Sequence, residues 1–330
     1  MRTLAFFSLF FLTVFAQAQT ISAHKLQTVQ NFINEMVDQH HFDKNQLNFL
    51  FSQVQIKLPE KFKNKTTKKP KRKKTMSWDK YKSLFITQDR INNGVEFYNQ
   101  NQHTLERAEK TYNVPKEIIV AILGIETNYG NNQGKHPTFK TLVKRSFSND
   151  RRKKFYKSEL KSFLLMVREN NLVPMSISGS HAGAMGYGQF ISSSYRNFAV
   201  DFDKDGVVDL FNSPADAIGS IANYFDRHQW HDGGEISRPI KLNQQHFKLA
   251  KRSTTKPRKN AKYWKNQNLS IDTDIDNKTK IALIRLPQDG IDEPRLTFWN
   301  FYVLTRYNHD NRYAMAVQLL SEKIKQKINP

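Results

Sequence analysis

The chain of 330 residues contains no cysteine, although it opens like an exported protein. Arg2 supplies a positive start, and Leu4 to Phe15 form an almost unbroken apolar run of 12 residues. Ala16-Gln17-Ala18 follows, with small residues at the two positions a signal peptidase reads. A membrane-spanning helix needs roughly 20 apolar residues, so this run is too short to be one. The expectation is a cleavable signal peptide over residues 1–18 and a mature chain that starts at Gln19 in the periplasm. An uncleaved anchor is the plainer alternative, and the small residues after the run weigh against it. Export would permit disulfides, but none can form here. Without cysteine the chain is not a lipoprotein either. Stability therefore rests on an apolar core, with a bound ion as the available supplement.

That core has to coexist with a formal net charge of +22. A balance this positive points to a polyanionic partner. In the cytoplasm the partner would be nucleic acid, and for an exported chain none is expected. Outside, the available anions are cell-wall carboxylates and phosphates or lipid head groups. Lys61 to Lys74 concentrates nine Lys/Arg residues and no acid. With one proline and no helical apolar face, residues 61–77 read as a basic linker or loop. Electrostatic contact between 61–74 and an anionic wall or membrane surface is one reading of that run. A solvated linker is the other.

Helical periodicity fills most of the remaining sequence. Leu26, Val29, Phe32, Ile33 and Met36 recur at helical intervals in an N-terminal helical segment, residues 19–60. Residues 78–230 carry the clearest helical patterning. From His231 the apolar residues thin out, and strand-like runs such as Ile281-Ala282-Leu283-Ile284-Arg285-Leu286 mark a small β-containing subdomain over 231–296. Residues 297–330 return to a helical pattern that completes the chain. The expected fold class is mainly α (α+β): a helical protein with a small β-containing insertion late in the sequence.

Within 78–230, the stretch from Val114 to Gly130 reads VPKEIIVAILGIETNYG. Pro115 suits the first turn of a helix and Gly130 its end. Ile119, Ile122 and Leu123 stand at i, i+3 and i+4, and Glu126 falls at i+7 on the same face. A carboxyl on a buried stripe is costly to ionise, which raises its pKa. A general acid working near neutrality requires that. A glutamate reaching water from a helix end is the alternative that position alone leaves open.

Three ordered motifs narrow the choice. Glu126-Thr127-Asn128-Tyr129-Gly130 is followed by Gly183-Ala184-Met185-Gly186-Tyr187-Gly188-Gln189 and then by Ala222-Asn223-Tyr224. With Phe85-Ile86-Thr87, Ser180, Asp216-Ala217-Ile218-Gly219-Ser220 and Thr305-Arg306-Tyr307-Asn308-His309, the chain resembles the lytic murein transglycosylase B family from about Trp78 through Ala316. The resemblance implies a lysozyme-like helical catalytic core, 78–230, acting on peptidoglycan glycan strands; the chain is expected to be a monomer. The resemblance makes Glu126 the catalytic acid and then base. Ser180 and Gln189 would line the cleft, and Tyr81, Tyr224, Tyr307, Asn308 and Tyr313 would help form saccharide subsites. Tyrosine suits that role, with an apolar ring for a sugar face and a hydroxyl for its rim. Ordinary packing is the plainer role for each of them. Glycines over 179–188 would let backbone approach a ligand closely.

Ordinary glycosidases use two carboxylates, whereas Glu126 has none beside it in its motif. The resemblance implies cleavage of the β-1,4 bond between N-acetylmuramic acid and N-acetylglucosamine, leaving 1,6-anhydromuramyl ends. No cofactor is expected for catalysis. A hydrolytic muramidase and a non-catalytic basic wall-binding protein are the alternatives.

A second site is legible at Asp201-Phe202-Asp203-Lys204-Asp205-Gly206-Val207-Val208-Asp209. The order matches the start of an EF-hand loop, with side-chain oxygens at positions 1, 3, 5 and 9, glycine at 6 and a carbonyl at 7. Position 12 is Asn212 instead of glutamate, and Asp216 is the candidate to close the cage. The expected ligands of a structural calcium or sodium ion are thus Asp201, Asp203, Asp205, Val207, Asp209 and Asp216. An acidic turn without an ion is the alternative. The ten histidines show no metal-ligand spacing, and His228 and His231 read as packing beside Trp230.

Overall fold

The computed structural model describes residues 20–57, 75–252 and 254–329. The expected signal peptide, 1–18, and the basic run 61–74 lie outside these residues. Two compact units divide the chain. Among the described residues, the first comprises 20–57 with 142–158 and the second comprises 75–141 with 159–329.

In the first unit, β1 (Thr20–Ser22) pairs antiparallel with β2 (Gln55–Lys57) around α1 (Gln27–His40) and α2 (Lys44–Ser52). Helix α1 buries Val29, Phe32, Ile33 and Met36, the face its spacing predicts, and ends where His41 turns left-handed at φ 56°. Asp43 starts α2 by accepting the N–H of Gln46 at 2.7 Å, a cap whose loss typically costs about 1 kcal/mol. Phe32, Phe51 and Phe147 meet edge to face, with ring centroids 5.9 to 6.5 Å apart. Lys157 covers the Phe32 ring at 5.3 Å and pairs with Glu35 at 3.3 Å. Residues 142–158, which the sequence places with the catalytic core, therefore cluster with the N-terminal helices. Phe147 completes their apolar triangle.

The second unit opens with α3 (Trp78–Phe85), α4 (Gln88–Gln100), α5 (Gln102–Tyr112) and α6 (Lys116–Thr127). Strand β3 (His136–Pro137) pairs with β4 (Ser178–Gly179), and between them α7 (Thr138–Ser146) and α8 (Lys153–Glu169) take the chain across the unit boundary and back. Then come α9 (Ser192–Phe198), α10 (Pro214–Arg227), β5 (Ser237–Pro239), α11 (Gln244–Arg252), β6 (Lys259–Asn260) and α12 (Ala261–Lys265). The chain finishes with β7 (Lys280–Leu286), β8 (Glu293–Thr297), α13 (Trp299–Tyr307) and α14 (Asn311–Ile328). The fold is mainly helical, with one larger sheet late in the chain.

Helix α6 is the centre of this unit. Ile118 through Ile125 are all buried, and α4, α5, α10 and α14 pack around them. A helix apolar on every side belongs inside a protein. The single apolar stripe read from Ile119, Ile122 and Leu123 is thus part of a wholly enclosed helix, and Pro115 precedes its first turn as N-cap.

The late sheet runs β5-β8-β7-β6, all antiparallel. Ile281, Ala282, Leu283, Ile284 and Leu286 of β7 are all buried, so neither face of that strand meets water. Trp264, Leu269, Ile271 and Phe298 fill the core beside it. The β7–β8 turn reaches the start of α3, where the Pro287 carbonyl accepts the N–H of Trp78 and Gln288 Oε1 accepts that of Asp79 at 3.4 Å. The sheet thereby fixes the helix that bears Tyr81. Among the described residues, no helix is long and apolar enough to cross a membrane.

Candidate active site

Glu126 occupies the last turn of α6, where the backbone reverses through three consecutive left-handed residues. Asn128, Tyr129 and Gly130 have φ of 51°, 61° and 90°. Asparagine and glycine tolerate that region, but tyrosine needs support from its surroundings. The support is local: the Tyr129 hydroxyl donates to the Arg90 carbonyl at 2.8 Å, and its N–H donates to the Leu123 carbonyl at 3.1 Å. At Gly130 a Cβ would come within 2.1 Å of the Tyr187 ring, so no larger residue fits without rearrangement. Thr127, buried, donates its hydroxyl to the Tyr187 carbonyl at 2.8 Å and accepts the Gly130 N–H at 2.9 Å. The glutamate motif and the glycine-rich motif are thus latched together through the residue next to Glu126.

The Glu126 side chain keeps partial contact with solvent, but protein crowds its carboxyl. Burial pushes its pKa up to about 7, and the hydrogen bond from Tyr313 opposes that shift. Tyr313 donates its hydroxyl to Glu126 Oε1 at 2.6 Å and is itself only 2% exposed. The Tyr307 ring lies parallel to Tyr313, 6.4 Å away at 6°. Its hydroxyl donates to the Gly188 carbonyl, and a Cβ at Gly188 would stand 2.8 Å from that oxygen. Tyr224 meets Tyr307 edge-on at 4.9 Å and donates to the Arg306 carbonyl at 2.7 Å. Burial raises all three phenols, Tyr224 to about 12 and the other two well above the ordinary range. They remain hydrogen-bond donors at any physiological pH.

Tyr81 stands within electrostatic reach of Glu126. Burial, first, and the charges of Asp310 and Glu126 push its hydroxyl up to about 12. The Arg312 guanidinium lies over its ring at 4.8 Å, gripped by Asp310 and donating to the Met76 carbonyl at 2.7 Å. Ser180 accepts the N–H groups of Ala182 and Ala184 at 3.3 and 3.1 Å. The Gln189 amide donates to the carbonyls of Gln133 and Gly186, both at 3.0 Å. Asn308 is exposed just beyond α13. The geometry therefore brings Tyr313 directly onto Glu126, sets Tyr307 parallel to Tyr313 with Tyr224 edge-on to it, and uses Ser180 and Gln189 to shape the glycine-rich loop. Thr127 and Arg312 were absent from the sequence candidates. Thr127 sits in the quoted motif, whereas nothing in the local pattern marks Arg312.

In the acidic loop, Asp201, Asp203 and Asp205 present oxygens that all lie within 4.8 Å of one another. Three carboxylates this close repel unless a cation joins them, and an oxygen-only donor set suits a hard ion such as calcium. The residues present fit such an ion. The trio also serves backbone: Asp201 accepts the N–H groups of Asp205 and Gly206 at 3.1 and 2.9 Å, Asp203 that of Asp205 at 3.4 Å, and Asp205 that of Val207 at 2.8 Å. Asp209 and Asp216 stand outside the trio. Asp209 accepts the N–H groups of Phe211 and Asn212 at 2.8 and 3.0 Å. Asp216, fully buried, accepts those of Phe202 and Asp209 at 2.6 and 2.7 Å. The Val207 side chain is exposed. Ser213 caps α10 by accepting the Asp216 N–H at 3.1 Å and donates its hydroxyl to Asp203 at 2.9 Å. The loop is therefore tied to the helix that carries Tyr224.

A family model described as "Transglycosylase SLT domain" matches residues 24–322. The chain belongs to the transglycosylase SLT family. Over 304 residues it is 39% identical to the membrane-bound lytic murein transglycosylase B of Escherichia coli (strain K12), spanning 89% of this chain and 82% of that protein. The solved soluble lytic transglycosylase SltB1 of Pseudomonas aeruginosa is 34% identical and superposes with a TM-score of 0.81, covering 92% of this chain and all 100% of its own. The Escherichia coli lytic transglycosylase Slt35, solved in complex with calcium, is 35% identical with a TM-score of 0.77, covering 92% and 94% of the two chains.

For this transglycosylase-family chain, the Glu126 carboxyl should titrate near pH 7 in a carbon-detected NMR experiment, and Tyr313→Phe should move that titration upward. The folded pKa of about 7 lies above the ordinary 4.5, so the ionised form destabilises the fold. Glu126→Gln should therefore gain stability over the parent as pH rises through that window, and keep a constant advantage above it. A titration at the ordinary value, or a stability difference independent of pH, would refute this account.

Proposed function

We propose that this chain is a lytic murein transglycosylase in which Glu126 alone serves as proton donor and then proton acceptor. The observation that carries the reading is the environment of that carboxyl. Its pKa, about 7, is set by burial and by Tyr313, with no contribution from a second carboxylate among the described residues. Two-carboxylate glycosidases keep their partner roughly 5–10 Å away, where its charge would raise the first group further. A site with one carboxylate matches a reaction that needs no activated water.

At neutral pH a protonated Glu126 delivers its proton to the oxygen bridging N-acetylmuramic acid and N-acetylglucosamine. The C1–O bond breaks as C1 gains oxocarbenium-like character, with the substrate's own N-acetyl carbonyl supporting the charge. Glu126 is now a carboxylate, held in place by the Tyr313 hydroxyl, whose bond favours the ionised form. That carboxylate removes the proton from the muramyl C6 hydroxyl, and O6 closes on C1. Glu126 ends protonated, the N-acetylglucosamine leaves with its hydroxyl, and no water is consumed.

The acidic loop supports a structural cation in the same reading. Asp201, Asp203 and Asp205 would hold calcium or sodium, while Asp209 and Asp216 fix the surrounding backbone. The ion would supply charge neutralisation to a loop bonded to α10, with no part in proton transfer. Export through the N-terminal signal places the enzyme in the periplasm with its substrate. The basic run 61–74 would hold it against the anionic wall or membrane surface.

Glu126→Gln keeps the side-chain shape but not the transferable proton, so turnover on sacculi should fall by about 100-fold or more. Mass spectrometry of wild-type products should give anhydro ends, lighter by one water than hydrolytic ends, and hydrolytic ends would overturn the mechanism. Calcium should raise the melting temperature through binding to the folded state, chelator should lower it, and Asp203→Ala should abolish the response. Identical melting curves under all conditions would remove the ion from the account. Replacing the nine Lys/Arg of 61–74 with Gln should weaken the salt-sensitive binding to sacculi and leave turnover of soluble fragments unchanged. Binding that keeps its strength and salt dependence would leave the segment a linker.

A further inference from the structure

Three of the tyrosines around Glu126 have committed hydroxyls. Tyr313, Tyr307 and Tyr224 donate to Glu126, to the Gly188 carbonyl and to the Arg306 carbonyl. Tyr81 differs. Among the described residues no protein group accepts from its hydroxyl, although the phenol stands within electrostatic reach of Glu126. The side chain is half-buried. A saccharide oxygen entering beside Glu126 can therefore accept a hydrogen bond that the protein leaves unused.

With the hydroxyl uncommitted, the ring has to be held by its neighbours. Trp78 and Phe85, about a turn before and after it on α3, lie 6.4 and 5.1 Å from it. From α14, the Arg312 guanidinium covers it at 4.8 Å. A cation is attracted to the face of a tyrosine ring, but a loose arginine would be a moving cover. This one is pinned. Its Nε donates to both oxygens of Asp310 at 3.0 and 3.1 Å, its Nη2 donates to Asp310 Oδ2, and its Nη1 donates to the Met76 carbonyl at 2.7 Å. Asp310 is fixed in turn as the N-cap of α14, accepting the Arg312 backbone N–H at 2.9 Å. The next residue, Tyr313, is the one that bonds Glu126. Consecutive residues in the first turn of α14 thus address Tyr81 and the candidate acid.

We infer that Arg312 is a positioning residue for saccharide binding, fixing the Tyr81 ring so that its free hydroxyl is presented at one place beside Glu126. The inference rests on the function proposed above and names a residue on which the affinity for glycan depends. Shape matters here as well as charge. The flat fork of arginine serves Asp310, the Met76 carbonyl and the ring face together, whereas a lysine ammonium is a single point and cannot serve all three. Neither Arg312 nor Asp310 is among the groups that set the Glu126 pKa, so proton transfer does not run through them.

The test is steady-state kinetics on soluble glycan strands for wild type, Arg312→Gln, Arg312→Lys, Tyr81→Leu and the two double variants, with melting curves to check folding. Arg312→Lys keeps a charge opposite Asp310, so it supplies a folded variant even where glutamine unsettles α14. Both Arg312 variants should raise KM about 3- to 10-fold, the scale of one cation–ring contact, and leave kcat near that of wild type. In the Tyr81→Leu background neither should raise KM further, because the ring that Arg312 places is gone. A KM restored by lysine would make charge the working feature. A KM loss that persists in full without Tyr81 would make the role structural. Either result, an unchanged KM in both variants, or a loss confined to kcat overturns the inference, while anhydro products from wild type keep the enzyme reading intact. Absence of anhydro products from wild type would instead overturn the function on which the inference rests.

Discussion

The enclosure of α6 on every side is the constraint on which the site depends. A glutamate at the end of such a helix keeps only partial contact with solvent, because protein crowds its carboxyl. Ionising it there is costly, and a hydrogen bond to the charged form offsets the cost only in part. Tyr313 supplies that one bond, and burial remains the larger influence on Glu126. The balance leaves the carboxyl poised between protonation states near neutrality. More bonds to the carboxylate would have favoured the anion, and none would have raised the pKa further and made the group a weaker acid.

Position matters as much as protonation, and the aromatic residues behind Glu126 supply it. Tyr313, Tyr307 and Tyr224 each bond their hydroxyl to a protein acceptor: Glu126, the Gly188 carbonyl and the Arg306 carbonyl. Tyr307 also has ring partners on both sides, with Phe225 stacked 5.6 Å away and Tyr313 at 6.4 Å. These side chains therefore act first as a rigid backing that links α10, α13, α14 and the glycine-rich loop. Whatever they offer a saccharide, they offer from fixed positions. A preorganised arrangement of this kind needs no rearrangement as charge develops.

Features set by local pattern were the ones legible in the sequence. The buried face of α1, the β7 run and the placement of Glu126 at the end of α6 all follow from spacing along one element. The union of 142–158 with the N-terminal helices was not legible, because it depends on Phe147 meeting Phe32 and Phe51 from a distant part of the chain. The grip of Arg312 on Tyr81 is hidden for the same reason: cation and ring are far apart in sequence and meet only through packing. In the acidic loop, regular spacing named Asp201, Asp203, Asp205 and Asp209, with Asp216 added to close the cage. Geometry brings oxygens of the first three within 4.8 Å of one another, while all five accept nearby N–H groups.

The discontinuous make-up of the first unit bears on how the chain is made. Synthesis runs from the N-terminus, so Phe32 and Phe51 leave the ribosome well before Phe147 exists. Helices α1 and α2 lack their third ring until residues 142–158 follow. For that interval the nascent chain carries an uncovered apolar face, the kind of surface that leads partly folded proteins into aggregation. The connectivity of the fold thus leaves the N-terminal helices without their full apolar partner until residue 147 has been made.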